Sequence, residues 1–158
     1  MSVTTIESVQ KSVRVGIPPA KAFEVFTARF ADWWPLATHH TAPEDAATAV
    51  IEPFEGGRWF ERGVNGTETM WGYVTTWAPP ERLVLAWHLN LDFHFDPDVA
   101  SEVEVRFVAD GEGTRVELEH RNLDVYGLER GEALRTAVGG EGGWGALLDE
   151  FAKLAAAA

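Results

Sequence analysis

Residues 8–17, SVQKSVRVGI, put Val9, Val13 and Val15 on one side and Gln10, Ser12 and Arg14 on the other, the period of two of a half-buried strand. The period then changes. Pro18 and Pro19 suit a helix first turn, and Ala22, Phe23, Phe26 and Phe30 recur at helical spacing until Trp33-Trp34-Pro35 stops the run. Residues 36–46, LATHHTAPEDA, carry no period and read as loop. Strand patterning resumes in 49–53, 58–63, 69–77, 82–91, 101–110 and 114–122, punctuated by Glu55-Gly56-Gly57, Asn65-Gly66, Pro79-Pro80 and Gly111-Glu112-Gly113. Beyond the glycines at 139–143, which read as a flexible lead-in, Trp144, Leu147, Leu148, Phe151 and Leu154 form one apolar stripe down GWGALLDEFAKLAAAA.

This order predicts an α+β fold. A curved antiparallel sheet of about six or seven strands, running as a meander, wraps a long C-terminal helix, because each partner has one apolar face to hide. A split α/β roll is the competing arrangement. The 158 residues fit one domain spanning 1–158, with no internal repeat or linker.

Composition narrows the function. The chain has no cysteine, which removes disulfides, thiolate metal sites and cysteine nucleophiles. A net charge of −12, with the thirteen Lys and Arg scattered, argues against nucleic acid as a partner. No apolar run is long enough for membrane insertion and no targeting segment is recognisable, so a cytoplasmic location is expected. Seven tryptophans and nine phenylalanines exceed what a core of this size usually needs.

Several stretches carry a resemblance: IPPAKAFEVFT (17–27), FEGGRW (54–59), WGYVTTWAPPERLVLAW (71–87), GTRVELEH (113–120) and GGWGALLDEFAKL (142–154). In order and spacing they resemble the START-like, or SRPBCC, superfamily with its helix-grip fold, and within it the domain named for the activator of the heat-shock-protein-90 ATPase. The resemblance implies a cavity between sheet and last helix, used in the superfamily for lipids, hormones, polyketides and other apolar molecules. A small hydrophobic molecule is thus the expected partner. The eukaryotic activator has an additional N-terminal domain for which this chain is expected to have no room, and nothing in the sequence marks a chaperone-binding surface. The sheet edge and its wet face could also support a homodimer.

The chemistry-bearing residues are then read by parity. In residues 83–96 the odd positions are apolar, Leu83, Leu85, Trp87, Leu89, Leu91, Phe93 and Phe95, and the even ones include His88, Asn90, Asp92, His94 and Asp96. The polar set reads as the solvent side of a strand, with no metal and no cofactor expected. Trp87 and Leu89 are expected on the concave side, with Trp71, Tyr73 and Trp77 if that strand buries its aromatic parity. His120 shares a face with Val116 and Leu118 and is the one histidine predicted to point inward, either tied to a neighbour or available to a ligand. Glu61 shares its parity with Trp59, and either that pair or Phe60 faces inward. Trp33-Trp34 and His39-His40 lie where a loop would cover the open end of the cavity.

No familiar catalytic motif is present. The primary expectation is a binding module whose candidate ligand contacts are Trp33, Trp34, Trp59, Trp71, Tyr73, Trp87, Leu89, His120, Trp144, Leu147, Leu148 and Phe151. The alternatives are a polyketide-cyclase-like enzyme with His120 or Glu61 as general base, or a stress-response or chaperone-linked adaptor.

Overall fold

The computed structural model describes residues 6–157; the ends of the expected domain and last helix, at 1–5 and 158, lie outside the described residues. Strand β1 (Val9–Val15) is followed by helices α1 (Pro19–Thr27) and α2 (Phe30–Trp33), then β2 (Ala46–Ile51), β3 (Arg58–Gly63), β4 (Glu68–Ala78), β5 (Arg82–Trp87), β6 (Ser101–Asp110) and β7 (Gly113–Arg121). Helices α3 (Leu128–Gly139) and α4 (Trp144–Ala156) close the chain. The seven strands form one antiparallel sheet in the order β1-β7-β6-β5-β4-β3-β2, curled into a half-barrel. Strands β2 to β7 are a meander, and β1 closes beside β7. The first two strands thus sit on opposite edges, and α1, α2 and the loop behind them must cross the sheet to join them.

Helix α4 lies in the hollow because its stripe demands it. Trp144, Leu147, Leu148, Phe151 and Ala155 are buried, and Phe26, Trp33 and Phe151 pack ring against ring at 4.9–5.7 Å. Each such side chain contributes on the order of 1.5–3 kcal/mol when fully buried. The convex face carries the charges. Glu104 sits between Arg82 and Arg121; burial pushes its carboxyl up, but the paired guanidinium groups of Arg121 and Arg82 hold it below the usual range.

The helix expected from residue 18 to 34 is two helices, broken at Ala28-Arg29. The strand expected over 82–91 ends at Trp87; beyond it, Leu89 pairs with Phe95 in a small hairpin. No element was evident from the pattern of 123–138, where a 3-10 turn (Leu123–Tyr126) and α3 form, because only Gly131, Leu134 and Val138 of α3 are buried. That leaves α3 without a readable stripe.

Strict alternation fails in β4. Its register with β3 slips between Trp59 and Phe60, and its register with β5 slips between Val74 and Thr76. Each slip inserts one extra residue. Trp71, Val74 and Trp77 consequently turn inward and Tyr73 turns out to solvent, so the expected common face of Trp71, Tyr73 and Trp77 is corrected at Tyr73. Gly72, between Trp71 and Tyr73, has no room for a Cβ, which would run into the Ala86 carbonyl.

Candidate functional site

A cavity of about 400 Å³ lies between β4, β5, α4, the end of α3 and the loop after α2. That volume falls within the usual range of small-molecule sites. Four indoles wall it: Trp34 from the end of α2, Trp71 from β4, Trp87 from β5 and Trp144 from the first turn of α4. Trp34 lies 5.3 Å from Trp71 and 6.0 Å from Trp144, and Trp87 lies 5.8 Å from Trp144 between ring centroids. Leu89 and Leu147 complete the apolar lining. A groove of about 840 Å³ between β1 and α3 is more open and has no aromatic wall.

Every one of the four indole N–H groups is committed to the protein. Trp34 Nε1 donates to the His39 carbonyl at 2.8 Å, Trp71 Nε1 to Glu61 Oε1 at 2.8 Å, Trp87 Nε1 to the Leu89 carbonyl at 3.1 Å and Trp144 Nε1 to His120 Nδ1 at 3.0 Å. Each ring is therefore fixed about its own axis. What the cavity receives is carbon, not N–H donors.

Two of the four, Trp71 and Trp144, are held by buried polar side chains. Glu61 faces inward with Trp59, while Phe60 packs on the other face beneath Arg58, whose guanidinium lies 4.4 Å from its ring centre. Glu61 Oε1 accepts from Trp71, from the Thr41 amide at 2.5 Å and from the Thr41 hydroxyl at 2.6 Å; Oε2 accepts from the Ala42 amide at 3.3 Å. The carboxylate thus ties the loop after α2 to the indole beneath it.

His120 is fully buried, its ring 4.8 Å from Trp87. Because an indole can only donate, Nδ1 accepts from Trp144, and the neutral ring carries its proton on Nε2. Nε2–H then donates to Ser101 Oγ at 2.8 Å, Ser101 donates to Tyr126 Oη at 3.3 Å, and Tyr126 donates to the Leu89 carbonyl at 2.7 Å. Burial pushes the imidazole down to about 3 and the Tyr126 hydroxyl up. Each group in this chain has its partner.

The mouth of the cavity is polar. Thr38, His39, His40 and Thr41 line one side and Asp92 with Phe93 another, with Gly142-Gly143 between. His39 Nε2 donates to the Gly142 carbonyl at 2.8 Å, and its Nδ1 accepts from Thr38 Oγ1 at 2.8 Å, which latches the loop to the turn before α4. Gly142 has φ +81°, a conformation that favours glycine. His40 Nδ1 donates to the Ala42 carbonyl at 2.9 Å. Across the mouth, Asn90 Oδ1 accepts from the Asp92 and His94 amides and folds the hairpin tip, where Phe93 has φ 58°, strained for so bulky a residue.

Of the twelve ligand contacts expected from the sequence, Trp34, Trp71, Trp87, Leu89, Trp144 and Leu147 line the cavity. Trp33, Trp59, Leu148 and Phe151 are buried in the core, Tyr73 is exposed, and His120 stands behind Trp87 and Trp144. The Trp33-Trp34 pair is split: Trp33 donates its N–H to the Phe26 carbonyl within the core, and Trp34 faces the cavity. Among the described residues, no three His, Asp or Glu side chains gather as metal ligands, and no helix is long and apolar enough to cross a membrane. Sequence reasoning missed Asp92 and Phe93 as lining, because the alternation of 87–96 suggested a strand where the chain doubles back. It also missed Ala137 and Val138, on a helix with no visible stripe.

A solved structure described as an anthrahydroquino-γ-pyrone synthase, Txn09, complexed with the compound SUM, is 39% identical, with 97% of this chain and 99% of that one covered and a TM-score of 0.64. CalC from Micromonospora echinospora, described as a self-sacrificing resistance protein, is 35% identical over 94% of each chain, with a TM-score of 0.70. An HSP90 activator from Plasmodium falciparum shares the fold at 20% identity and TM-score 0.51, over 74% of each chain. No curated protein matches the chain. The model of one family matches residues 17–156, nearly the whole of the described helix-grip domain, and the chain belongs to that family, the activator of Hsp90 ATPase homolog 1-like proteins.

Proposed function

We propose that this protein binds a planar, polycyclic aromatic molecule with polar groups along one edge. The observation that carries the reading is the set of four indoles whose N–H groups are all held internally. Walls held in this way offer flat apolar faces at little cost in side-chain ordering. The mouth, with Thr38, His40, Thr41 and Asp92, suits the polar edge. The 39% identity to a protein described as an anthrahydroquino-γ-pyrone synthase supports a ligand of this shape.

A second reading, catalysis on such a molecule, is favoured by the same likeness. The two sequence candidates for a base give it little support. His120 and Glu61 both hold their polar atoms in internal hydrogen bonds, and neither lines the cavity.

Binding is tested with 2-hydroxyanthraquinone, whose one hydroxyl lies at one end of the ring system, by quenching of tryptophan fluorescence. Saturable quenching is expected, with affinity lowered at least about tenfold in Val138→Phe, which fills the cavity from α3. Absence of saturable quenching, or equal affinity in Val138→Phe, would overturn the proposal.

A further inference from the structure

Resting on that reading of the cavity, we propose that His40 is its proton acceptor, taking a proton through Nε2 from an acidic hydroxyl on the ligand's polar edge. The argument is one of elimination among nitrogens. A carbonyl oxygen only accepts, so the 2.9 Å contact to Ala42 places the His40 proton on Nδ1. The neutral ring then keeps its lone pair on Nε2, which has no partner among the described residues, on a side chain that lines the cavity. Neighbouring His39 has both nitrogens engaged, by Thr38 and Gly142. His120 is engaged at both nitrogens too, and lies outside the lining.

In the step itself the ligand O–H bond breaks, its electron pair stays on oxygen, and an N–H bond forms at Nε2. The products are an oxyanion beside an imidazolium still bonded to Ala42. Reversal returns the proton, so neither oxidant nor reductant is needed. The groups around the site make this pairing selective. Asp92, from the hairpin after β5, lines the same cavity, and Glu61 on β3 lies beneath Thr41 and Ala42. Both are acidic and oppose an unpaired oxyanion. The contributions from α3, α4, β4, β5 and the glycine turn are apolar side chains or glycine. Ligand ionisation in the cavity thus depends on a cation forming there, and His40 is placed to be that cation.

2-Hydroxyanthraquinone provides the test, because its single ionisation changes its visible absorbance. Its methyl ether has no proton to give and reports occupancy alone through tryptophan quenching. With wild-type protein, the ionisation midpoint of bound 2-hydroxyanthraquinone should lie about one pH unit or more below that of the free compound, equivalent to at least tenfold. In His40→Gln and His40→Asn, with thermal melting confirming the fold, the midpoint of the bound compound should be no lower than that of the free one. The same downward shift in both variants, or no shift in occupied wild-type protein, would overturn the role of His40. If neither compound quenches, it is the cavity reading that fails, and this inference falls with it.

Discussion

His120 and His40 serve the same cavity in opposite ways. His120 stands behind two of its walls, both ring nitrogens bonded, in a chain running from Trp144 through Ser101 and Tyr126 to the Leu89 carbonyl. His40 stands in the lining with one nitrogen bonded and the other without a partner among the described residues. Parity finds the first readily, because a histidine among Val116 and Leu118 breaks an apolar face. It cannot find the second, which lies on an aperiodic loop. A conspicuous buried histidine has to be satisfied to be buried at all, so it tends to end as scaffold. The less conspicuous one retains reactivity.

The largest expected effect concerns the scaffold half. Glu61→Leu leaves the amides of Thr41 and Ala42, the Thr41 hydroxyl and the Trp71 N–H without their acceptor, and should cost about 3–5 kcal/mol in denaturant unfolding. A cost under about 1 kcal/mol would remove Glu61 from that role.

His120 should also write itself into the pH dependence of stability. Its ordinary value of 6.5 holds in the unfolded chain and falls to about 3 in the fold, so between these values only the unfolded state binds the proton. The contribution is fully present above 6.5 and is lost as pH falls towards 3, by about 1.4 kcal/mol per pH unit. His120→Gln should remove that part of the slope in urea titrations, and an unchanged slope would show the ring to be accessible to protons.

A smaller effect separates a wall of the cavity from the core indole packed against it. Trp71 donates to Glu61, whereas the buried Trp59 Nε1 has no hydrogen-bond partner among the described residues. Trp71→Phe should therefore cost about 1–3 kcal/mol more than Trp59→Phe, measured as the difference in unfolding free energy. Equal costs would mean that the Glu61 bond adds nothing. Smallest is His39→Ala, which opens the exposed latch to Gly142 for about 0.5–1.5 kcal/mol and should be felt more in ligand release than in melting.

Much of this fold was legible because period and punctuation agreed. The strands from β1 to β7 and the stripe of α4 each bury a face that the sequence displays openly. The half-barrel with its C-terminal helix follows from that need. The site was legible in half. Trp87, Leu89 and Trp144 follow from alternation and helical spacing, but Tyr73 was misplaced by a register slip that leaves no trace in hydrophobicity. The mouth was legible on one side only: the loop with His39 and His40 was expected over the open end, but the hairpin and glycine turn opposite are set by backbone turns at Asn90 and Gly142 and by single hydrogen bonds, none of which has a period.

The division between the two histidines is read most directly by nitrogen-15 NMR of the imidazole side chains during titration with 2-hydroxyanthraquinone. The structure predicts that His120 keeps its proton on Nε2 throughout and hardly responds, while His40 passes from a proton on Nδ1 alone to protons on both nitrogens as the ligand binds. A His120 that gains a proton while His40 stays unchanged would contradict the account.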